Sequence, residues 1–432
     1  MLIDMPIHRR LLLSACLCLA LPSILRAQTA TPAIEVTPAR VLADEPATIR
    51  VTGLQPHEHV ALRAALTDGG NSPWMSQAEF VADDAGTIDT SKQAPNKGSY
   101  RIVSSMGLVW SMMPAAKDVH SYRAPRNEQT ILFALMKDNK EVASAQLVQT
   151  FYPEFIHRVD LTGQLHGTLV VPDTPGPHPG VLVLGGSEGG MPVPKAIWLA
   201  AHGYAALALA YFRVPGLPQE LRDIPLEYFG QAIGWMMQRP EIDPTRLAVM
   251  GGSRGGELAL QLGSMYPELH AVVAYVPANV RYPSCCDRSF GPAWTWKGQP
   301  LAYGRPTSNS SAPTDMAAAI AVEQTHGPIL MISGDDDGIW PSHPMTDAAV
   351  HRLQQAHFRY PVVHLDYPHA GHRAGNQWII PTWSGGVTHP VSGQQENYGG
   401  NPEGNALSTL DATPKVLDFL KQSLAAAPPK AP

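Results

Sequence analysis

The chain has 432 residues, 44% of them hydrophobic, which is enough for two globular domains with sizeable cores. Its net charge of −6 and its lack of a basic stripe argue against nucleic acid as a partner.

The N-terminus has the pattern of a secretory signal. A basic cluster at residues 8–10 precedes an apolar stretch at residues 11–25, which is too short for a comfortable membrane span. We therefore expect a signal peptide over residues 1–30, cleaved after Ala27 or Ala30. Two adjacent arginines also fit a twin-arginine signal, and a plain secretory route fits equally well. By either route, the predicted localisation is export to a bacterial periplasm. Nothing later in the sequence predicts a membrane span.

Residues 33–150 are rich in short alternating segments, such as AIEVTP, PATIRVTGL and HVALRAAL. Turn signals separate these segments, for example Asp68–Gly70 and Asn96–Gly98. Alternation with a period of two puts the apolar side chains of a strand on one face. The region therefore predicts an antiparallel β-sandwich.

Residues 160–424 change to an alternation of strands and helices. The predicted strands lie near Gly180–Leu184, Ala205–Tyr211, Leu247–Met250, Ala271–Val276, Ile329–Ser333 and Pro361–Tyr367. The predicted helices are Pro194–His202, Leu226–Gln238, Gly255–Met265, Met345–Gln355 and Leu410–Leu424. This order predicts an α/β domain with a mostly parallel sheet covered on both faces. Residues 425–432 consist of alanine, proline and lysine, a composition that predicts a disordered tail.

The sequence LAVMGGSRGGELAL contains a serine between glycines, at the junction of a predicted strand and a predicted helix. Gly251 and Gly255 flank Ser253 in a G-x-S-x-G pattern, which is typical of a nucleophile elbow. The backbone N–H of Arg254 would then face a developing oxyanion. The glycine-rich sequence VLGGSEGGM offers a second donor, for which Ser187 is our candidate. A glycine-rich turn without catalysis also fits the five-residue pattern. The spacing does not match a phosphate-binding loop, and we predict no cofactor.

An acid and a base follow the serine along the chain. The order Ser, Asp, His is typical of a catalytic triad built around a nucleophile elbow on a mostly parallel sheet. The predicted strand before Gly334 leads into three acids, Asp335, Asp336 and Asp337. A later turn carries His369 and His372. Each of these residues alone fits an ordinary surface position, but the three features together predict a catalytic triad.

Removal of the predicted signal peptide, which holds Cys16 and Cys18, leaves two cysteines in the chain. These two, Cys285 and Cys286, are adjacent, and a disulfide bond between neighbouring residues closes a strained ring. We expect two small buried side chains in a loop, although an exposed pair would be open to oxidation. His364, His369 and His372 lie on a strand and a loop without ligands at zinc spacing, so we predict no metal site.

Several motifs resemble one family. LVLGGSEGGM, LAAHGYAALALAYF, DIPLEYFGQAIGWM, LAVMGGSRGGELAL, SGDDDGIWPS and YPHAGH resemble the catalytic domain of the acyl-CoA thioesterase and bile acid-CoA:amino acid N-acyltransferase family. TPARVLADEPATIRVTGLQPHEHVALRAALTD and SMGLVWSMMP resemble that family's Ig-like N-terminal domain. The resemblance covers residues 33–424. It implies an α/β-hydrolase domain preceded by an Ig-like β-sandwich.

The resemblance also implies roles for individual residues. Ser253 matches the nucleophile, Asp337 matches the triad acid, and His372 matches the base. The acyltransferase branch has cysteine at the elbow, so a serine favours hydrolysis. Known members act on acyl-CoA inside cells, whereas this chain is predicted to be exported, so the resemblance implies the acyl-transfer chemistry but not the natural substrate.

The function predicted is a serine hydrolase that cleaves acyl thioesters through an acyl-enzyme. One alternative is an exported carboxylesterase, similar to dienelactone hydrolase, that acts on oxygen esters. Another is a binding protein on a hydrolase fold without catalysis. A small acyl thioester or ester is the expected partner, and the sequence does not define the oligomeric state. We expect Trp294, Trp296, Trp378 and Trp383 to form the wall of an acyl pocket.

Overall fold

The computed structural model describes residues 31–286, 290–304 and 316–425. The predicted signal peptide and, apart from Ala425, the predicted tail lie outside these ranges. Within them, every helix is too short or too polar to serve as a membrane span.

The N-terminal domain consists of two β-sheets. It contains one short helix, α1 (Gly107–Trp110), and the strands β1 (Ala33–Thr37), β2 (Arg40–Leu42), β3 (Thr48–Thr52), β4 (His59–Thr67), β5 (Pro73–Val81), β6 (Ile88–Asp89), β7 (Lys97–Gly98), β8 (Met113–Pro114), β9 (Glu128–Lys137) and β10 (Lys140–Thr150). One sheet has the order β1-β3-β6. The other has the order β2-β10-β9-β4-β5-β7, with β8 beside β5.

The alternating sequence of β4 explains how this domain forms its core. Val60, Leu62, Ala64 and Leu66 are buried along the strand, and the side chains between them are more exposed. They join a hydrophobic cluster that includes residues of both sheets. Complete burial of each large apolar side chain contributes about 1.5–3 kcal/mol to folding, so the alternation defines the inner face.

The second domain is an α/β domain. Its strands are β11 (Ile156–Asp160), β12 (His166–Pro172), β13 (His178–Leu184), β14 (Ala205–Ala210), β15 (Ile224–Pro225), β16 (Ile242–Gly252), β17 (Leu269–Tyr275), β18 (Trp294–Trp296), β19 (Gln299–Pro300), β20 (Ile329–Gly334), β21 (Val362–Tyr367), β22 (Val387–Thr388) and β23 (Gln395–Glu396). Its helices are α2 (Val193–Ala201), α3 (Glu227–Met237), α4 (Arg254–Gly263), α5 (Ser342–Gln355) and α6 (Pro402–Ser423), with short 3₁₀ turns at Met316–Ala318 and Val322–Gln324.

The main sheet has eight strands in the order β11-β12-β14-β13-β16-β17-β20-β21. β12 runs antiparallel to both of its neighbours, and the strands from β14 to β21 are parallel. Two separate hydrophobic clusters involve this sheet, one with α3, α4 and α5 and the other with α2 and α6. The α/β prediction is confirmed, and the sheet begins at Ile156, before the predicted boundary at residue 160.

The last helix begins earlier than the sequence predicted. We expected it to start at Leu410, but α6 starts at Pro402. The Asn401 side chain accepts a hydrogen bond from the Gly404 N–H at 2.8 Å and caps the helix. Proline suits the first helical position because its missing N–H needs no partner there. The sequence Asn-Pro-Glu therefore held a start signal that hydrophobic periodicity did not show.

The expectation for the two cysteines was wrong. Cys285 and Cys286 are joined by a disulfide bond, and both are partly buried rather than fully buried. Cys286 adopts a positive φ of 80°. Its sulfur lies 3.9 Å from the main-chain oxygen of Ser187 and 3.9 Å from Nε2 of His389, so the pair packs against the glycine-rich loop.

The two domains share part of one core. Ile379 and Ala406 of the second domain belong to the hydrophobic cluster of the N-terminal domain. The Ile379 N–H donates to the Ala43 oxygen at 2.8 Å. Trp383 packs edge-on against Trp74, with ring centroids 6.2 Å apart. The segment that follows His372, the predicted base, is therefore anchored in the N-terminal domain, which we call the β-domain.

A buried chain of hydrogen bonds crosses the same junction. Tyr122 donates its hydroxyl to the Gln129 side chain, and Gln129 Nε2 donates to Gln149 Oε1 at 2.7 Å. Gln149 Nε2 then donates to the Ile379 oxygen at 3.1 Å. A buried amide without a hydrogen-bond partner lowers the stability of the folded state. This series of hydrogen bonds therefore fixes the relative position of the two domains.

Candidate active site

The elbow around Ser253 joins β16 to α4. Ser253 has φ 56° and ψ −122°, a strained conformation for a residue with a side chain. A β-carbon on Gly251 would overlap the main-chain oxygen of Gly255, and one on Gly255 would lie 2.7 Å from the Leu184 oxygen. The tight turn therefore requires glycine at both flanking positions, as the G-x-S-x-G pattern predicted.

The structure brings the three predicted triad residues together. His372 Nε2 lies 2.8 Å from Ser253 Oγ. On the other side of the ring, His372 Nδ1 lies 2.9 and 2.8 Å from the two carboxylate oxygens of Asp337. The side chains of His372 and Asp337 are 8% and 1% exposed, so water competes little for these contacts. This arrangement can move a proton from the serine hydroxyl to the imidazole.

The loop backbone distinguishes Asp337 from its two acidic neighbours. Asp337 Oδ1 also accepts hydrogen bonds from the N–H groups of Ile339 at 2.9 Å and Trp340 at 3.3 Å. Asp335 and Asp336 are exposed and face His369 instead. The structure thus places only the third acid of the run beside His372.

Two aromatic residues that the sequence did not single out hold the histidine. The Trp340 ring lies 5.5 Å from the His372 ring, nearly perpendicular to it, and its Nε1 donates to the Val276 oxygen at 3.0 Å. The Tyr398 ring lies 5.8 Å away, and the His372 N–H donates to the Tyr398 oxygen at 2.6 Å. These contacts restrict rotation of the imidazole.

The segment around Tyr398 also connects the acid loop to the base loop. The Gly338 N–H donates to the Tyr398 oxygen at 3.2 Å, and the Gly400 N–H donates to the Asp336 oxygen at 3.0 Å. Asp337 and Gly399 form a bridge between the two backbones. No local motif predicted this segment, because its contacts come from the tertiary fold alone.

The Arg254 side chain turns away from the nucleophile into the protein. Its guanidinium donates to the oxygens of Pro283 at 3.0 Å and Tyr282 at 3.1 Å. Its Nε lies 3.3 Å from a carboxylate oxygen of Glu257, whose other oxygen accepts from Trp294 Nε1 at 2.8 Å. Burial raises the pKa of Glu257, and the Arg254 charge opposes this shift. The elbow arginine therefore fixes the loop before the disulfide.

The two predicted oxyanion donors stay predictions. Arg254 is the first residue of α4, where a backbone N–H has no acceptor within the helix. In the glycine-rich loop, the Gly186 N–H donates to Glu188 Oε1 at 3.0 Å. The Ser187 hydroxyl lies 3.1 Å from His389 Nε2, which fixes the Ser187 side chain beside the loop backbone.

A cavity of about 470 Å³ opens at Ser253 and His372. Most of its wall comes from the second domain, and the N-terminal domain contributes Tyr122 and Ala124. The other residues of the wall are Leu184, Gly185, Gly186, Ser187, Glu188, Pro192, Lys195, Gly252, Tyr275, Val276, Ile339, Arg373, Ala374, Asn376, Gln377, Trp378, Ile380, Glu396 and Tyr398. This volume is within the range of small-molecule sites.

One lysine in the cavity wall has a perturbed pKa. Lys195 Nζ lies 3.7 Å from the centroid of the Tyr275 ring, a close cation–π contact. Burial lowers the pKa of Lys195 to about 7, because desolvation penalises the ammonium. The cavity therefore holds a group whose charge changes near neutral pH.

The predicted tryptophan wall was largely wrong. Of the four residues, only Trp378 lines the cavity, where it also packs edge-on against Phe151 with ring centroids 4.9 Å apart. Trp294 is buried in the core of the second domain, Trp296 packs against Tyr266, and Trp383 lies at the domain junction. Sequence position in the irregular segments near the triad residues does not distinguish a core aromatic from a pocket aromatic.

Comparison with known proteins identifies the family. Residues 44–163 match the acyl-CoA thioester hydrolase/BAAT N-terminal region, and residues 224–288 and 295–426 match the BAAT/acyl-CoA thioester hydrolase C-terminal region. Human acyl-coenzyme A thioesterase 6 is 30% identical over 402 residues, which cover 88% of this chain and 94% of the relative.

Two further proteins show similarity. Human mitochondrial acyl-coenzyme A thioesterase 2 is 28% identical over 409 residues, which cover 88% of this chain and 82% of the relative. An alpha/beta hydrolase from Penicillium sp. sh18 superposes with a TM-score of 0.39 and 14% identity, over 63% of this chain and 99% of that chain. The family matches cover both domains, and so the chain belongs to the acyl-CoA thioester hydrolase/BAAT family and is a hydrolase.

Proposed function

We propose that this chain hydrolyses acyl-CoA-type thioesters through a Ser253–His372–Asp337 triad and an acyl-enzyme. The observation that carries the proposal is the contact between Ser253 Oγ and His372 Nε2 at 2.8 Å, at the wall of a cavity large enough for an acyl chain. The names of the human relatives support a thioester as the substrate.

The first step forms the acyl-enzyme. His372 Nε2 takes the proton of Ser253 as Oγ attacks the thioester carbonyl carbon. The backbone N–H groups of Arg254 and Ser187 stabilise the negative charge on the carbonyl oxygen. When the tetrahedral intermediate collapses, the carbon–sulfur bond breaks and the leaving thiolate receives the proton from His372.

Water completes the reaction. His372 takes a proton from water as the water oxygen attacks the acyl carbon, and the ester bond to Ser253 Oγ then breaks. The proton returns to Oγ, and a free acid leaves. Asp337 keeps the Nδ1 proton of His372 in place and stabilises the imidazolium during both steps.

The identity of the nucleophile favours hydrolysis over transfer to an amine. An acyl group on a serine oxygen is an ester, which amines attack less readily than the thioester that a cysteine would form. We therefore expect free acid as the product rather than an N-acyl amino acid. Incubation with an acyl-CoA and millimolar glycine or taurine, followed by mass spectrometry, measures the two products. A predominant conjugate at neutral pH would refute the proposed preference for hydrolysis over transfer to an amine.

The central test is Ser253→Ala. Loss of a triad nucleophile lowers kcat by roughly 10⁶-fold when chemistry limits the rate. Free thiol release from palmitoyl-CoA measures this loss, and p-nitrophenyl palmitate, which has the same acyl chain, reports on oxygen esters. Ser91→Ala, an exposed position in the N-terminal domain, is the matched control and should keep full activity. A Ser253→Ala protein with most of its activity on both substrates would remove Ser253 from the mechanism.

We also infer two features from the sequence patterns. The N-terminal domain is Ig-like, which its two β-sheets around one core support. The chain is exported after removal of its signal peptide, which the basic cluster and the apolar stretch at its N-terminus support. An extracytoplasmic location makes the natural thioester a molecule available outside the cytoplasm.

A further inference from the structure

Two histidines and two aspartates meet between α5 and the edge strand β21, outside the cavity that holds Ser253. His343 and Asp347 lie one helical turn apart on α5. His364 and Asp366 lie two residues apart on β21, on the same face of the strand. The spacing within each element directs both of its side chains towards the other element.

On one side of this cluster, three potential ligand atoms converge. His343 Nδ1 lies 2.6 Å from Asp366 Oδ1. His364 Nε2 lies 2.7 Å from Ser333 Oγ, which donates to Asp366 Oδ1 at 3.0 Å. His343, His364 and Asp366 each offer one ligand atom, and these atoms all lie within 4.8 Å of one another.

On the other side, one carboxylate contacts both rings. Asp347 Oδ2 lies 3.3 Å from His343 Nε2, and Asp347 Oδ1 lies 3.2 Å from His364 Nδ1. The front nitrogen of each ring faces a hydrogen-bond acceptor in the structure, Asp366 Oδ1 for His343 and Ser333 Oγ for His364. A zinc ion would displace the proton from each of these nitrogens, and Asp347 would then hold the proton on the rear nitrogen of each ring. Carboxylates behind metal-binding histidines orient the rings in this way.

We propose that His343 Nδ1, His364 Nε2 and Asp366 Oδ1 bind a zinc ion, with Asp347 as the orienting carboxylate. Two imidazoles, one carboxylate and a water molecule form a set of four ligands that zinc prefers. Zinc bonds of about 2.0–2.1 Å in a tetrahedron hold ligand atoms about 3.3 Å apart. The side chains of His343 and Asp366 are 34% and 37% exposed, so the ion can enter from solvent without a large movement.

The site would connect the elements that support the predicted triad. β20 ends at Gly334, just before the acid loop, and α5 begins at Ser342, just after it. β21 ends at Tyr367, before the loop of the predicted base. Zinc would therefore join α5 to β21 beside both loops. This inference rests on the geometry of the cluster and does not depend on the proposed reaction.

Zinc binding to the full chain tests the proposal. We would remove metals with a chelator, measure zinc affinity by calorimetry, and record the visible absorption of the cobalt(II)-substituted protein. We expect one equivalent of zinc, a tetrahedral cobalt spectrum and a higher melting temperature with zinc. The protein is kept without reductant, because reduced Cys285 and Cys286 form a competing group with His389.

Variants on two different elements identify the ligands. His343→Gln on α5 and Asp366→Asn on β21 should each weaken zinc binding by at least about 100-fold, and Asp347→Asn by about 10–100-fold. His351→Gln, an exposed histidine on the same helix, is the matched control. His369→Gln tests the separate cluster of His369 with Asp335 and Asp336. Both of these variants should bind zinc with unchanged affinity.

Three results would overturn the proposal: no binding of stoichiometric zinc, affinity that survives both His343→Gln and Asp366→Asn, or affinity lost in His369→Gln. Near-UV circular dichroism of the metal-free proteins confirms that each variant is folded. Because the two ligand variants lie on a helix and on a strand, a folding defect in one leaves the other as an independent test.

Discussion

Replacement of Asp337 with asparagine tests the predicted triad at its acid. Asp337 Oδ1 accepts two backbone N–H groups, from Ile339 and Trp340. An asparagine therefore keeps its carbonyl oxygen at that position and presents its NH₂ group to His372 Nδ1. The imidazole must then accept this hydrogen bond at Nδ1 and carry its proton on Nε2. In that tautomer it cannot take the proton of Ser253.

The expected loss follows from the wrong tautomer rather than from a change in shape. Asparagine has nearly the size of aspartate, so the buried contacts of the loop are retained. Loss of the correct tautomer lowers kcat by about 10⁴-fold. This factor corresponds to about 5 kcal/mol of transition-state stabilisation, at about 1.36 kcal/mol for each factor of ten.

The assay is steady-state release of free thiol from an acyl-CoA, with Asp335→Asn and Asp336→Asn as matched controls. Both controls change an exposed acid that faces His369, so each should retain most of the kcat. The melting temperature of each variant shows whether the fold is intact. The reasoning would be refuted if Asp337→Asn kept more than a tenth of the activity, or if Asp336→Asn were the more damaging change.

Three other predictions concern the elbow, the cavity and the N-terminus. Gly255→Ala should lower the melting temperature and abolish activity because its β-carbon meets main-chain oxygens. Gly234→Ala on α3 is the control: apart from the backbone of its own helix, the added carbon meets no atom within 4 Å, so this change should stabilise the protein by about 0.5–1 kcal/mol. With a pKa of about 7 for Lys195 in the folded state, the unfolded chain binds more protons above that pH, so the wild type gains stability as pH rises from 7 towards 10. The stability advantage of Lys195→Met over the wild type, measured by urea denaturation, should shrink over the same pH range. The mature protein from the native host should begin at Gln28 or Thr31, which N-terminal sequencing measures.

Each of these predictions has a contrary outcome. Equal melting temperatures for Gly255→Ala and wild type would show that the elbow relaxes around a methyl group. A constant stability difference between Lys195→Met and wild type from pH 7 to 10 would mean that the lysine has an ordinary pKa. Intact Met1 in a soluble cytoplasmic fraction would contradict export.

The sequence was most informative where a few adjacent residues define the geometry. The turn at Ser253 needs glycines within two residues on either side, so the pattern itself carries the structure. The choice of Asp337 among three acids came from the family resemblance, since all three follow the same strand. The alternating pattern of β4 predicted which of its side chains are buried, because the period of a strand is independent of its partners.

Features that depend on distant segments were not predictable in this way. Tyr398 lies far along the chain from Asp337, and only the fold brings its backbone beside the acid loop. The contribution of Tyr122 to the cavity comes from the other domain. His364 carried no metal signal by spacing, because its potential co-ligand His343 belongs to the preceding helix.

The shared core at the domain junction has a consequence for how the protein loses its structure. Ile379, Trp383 and Ala406 are packed into the β-domain, and they follow His372 along the chain. Melting of the β-domain would expose these residues and release the segment that carries Tyr398. The two domains should therefore unfold in a single cooperative transition, and a protease that cuts the β-domain should inactivate the hydrolase domain at the same rate. An exchange of β-domains between relatives would preserve activity only when both surfaces of the junction are exchanged together.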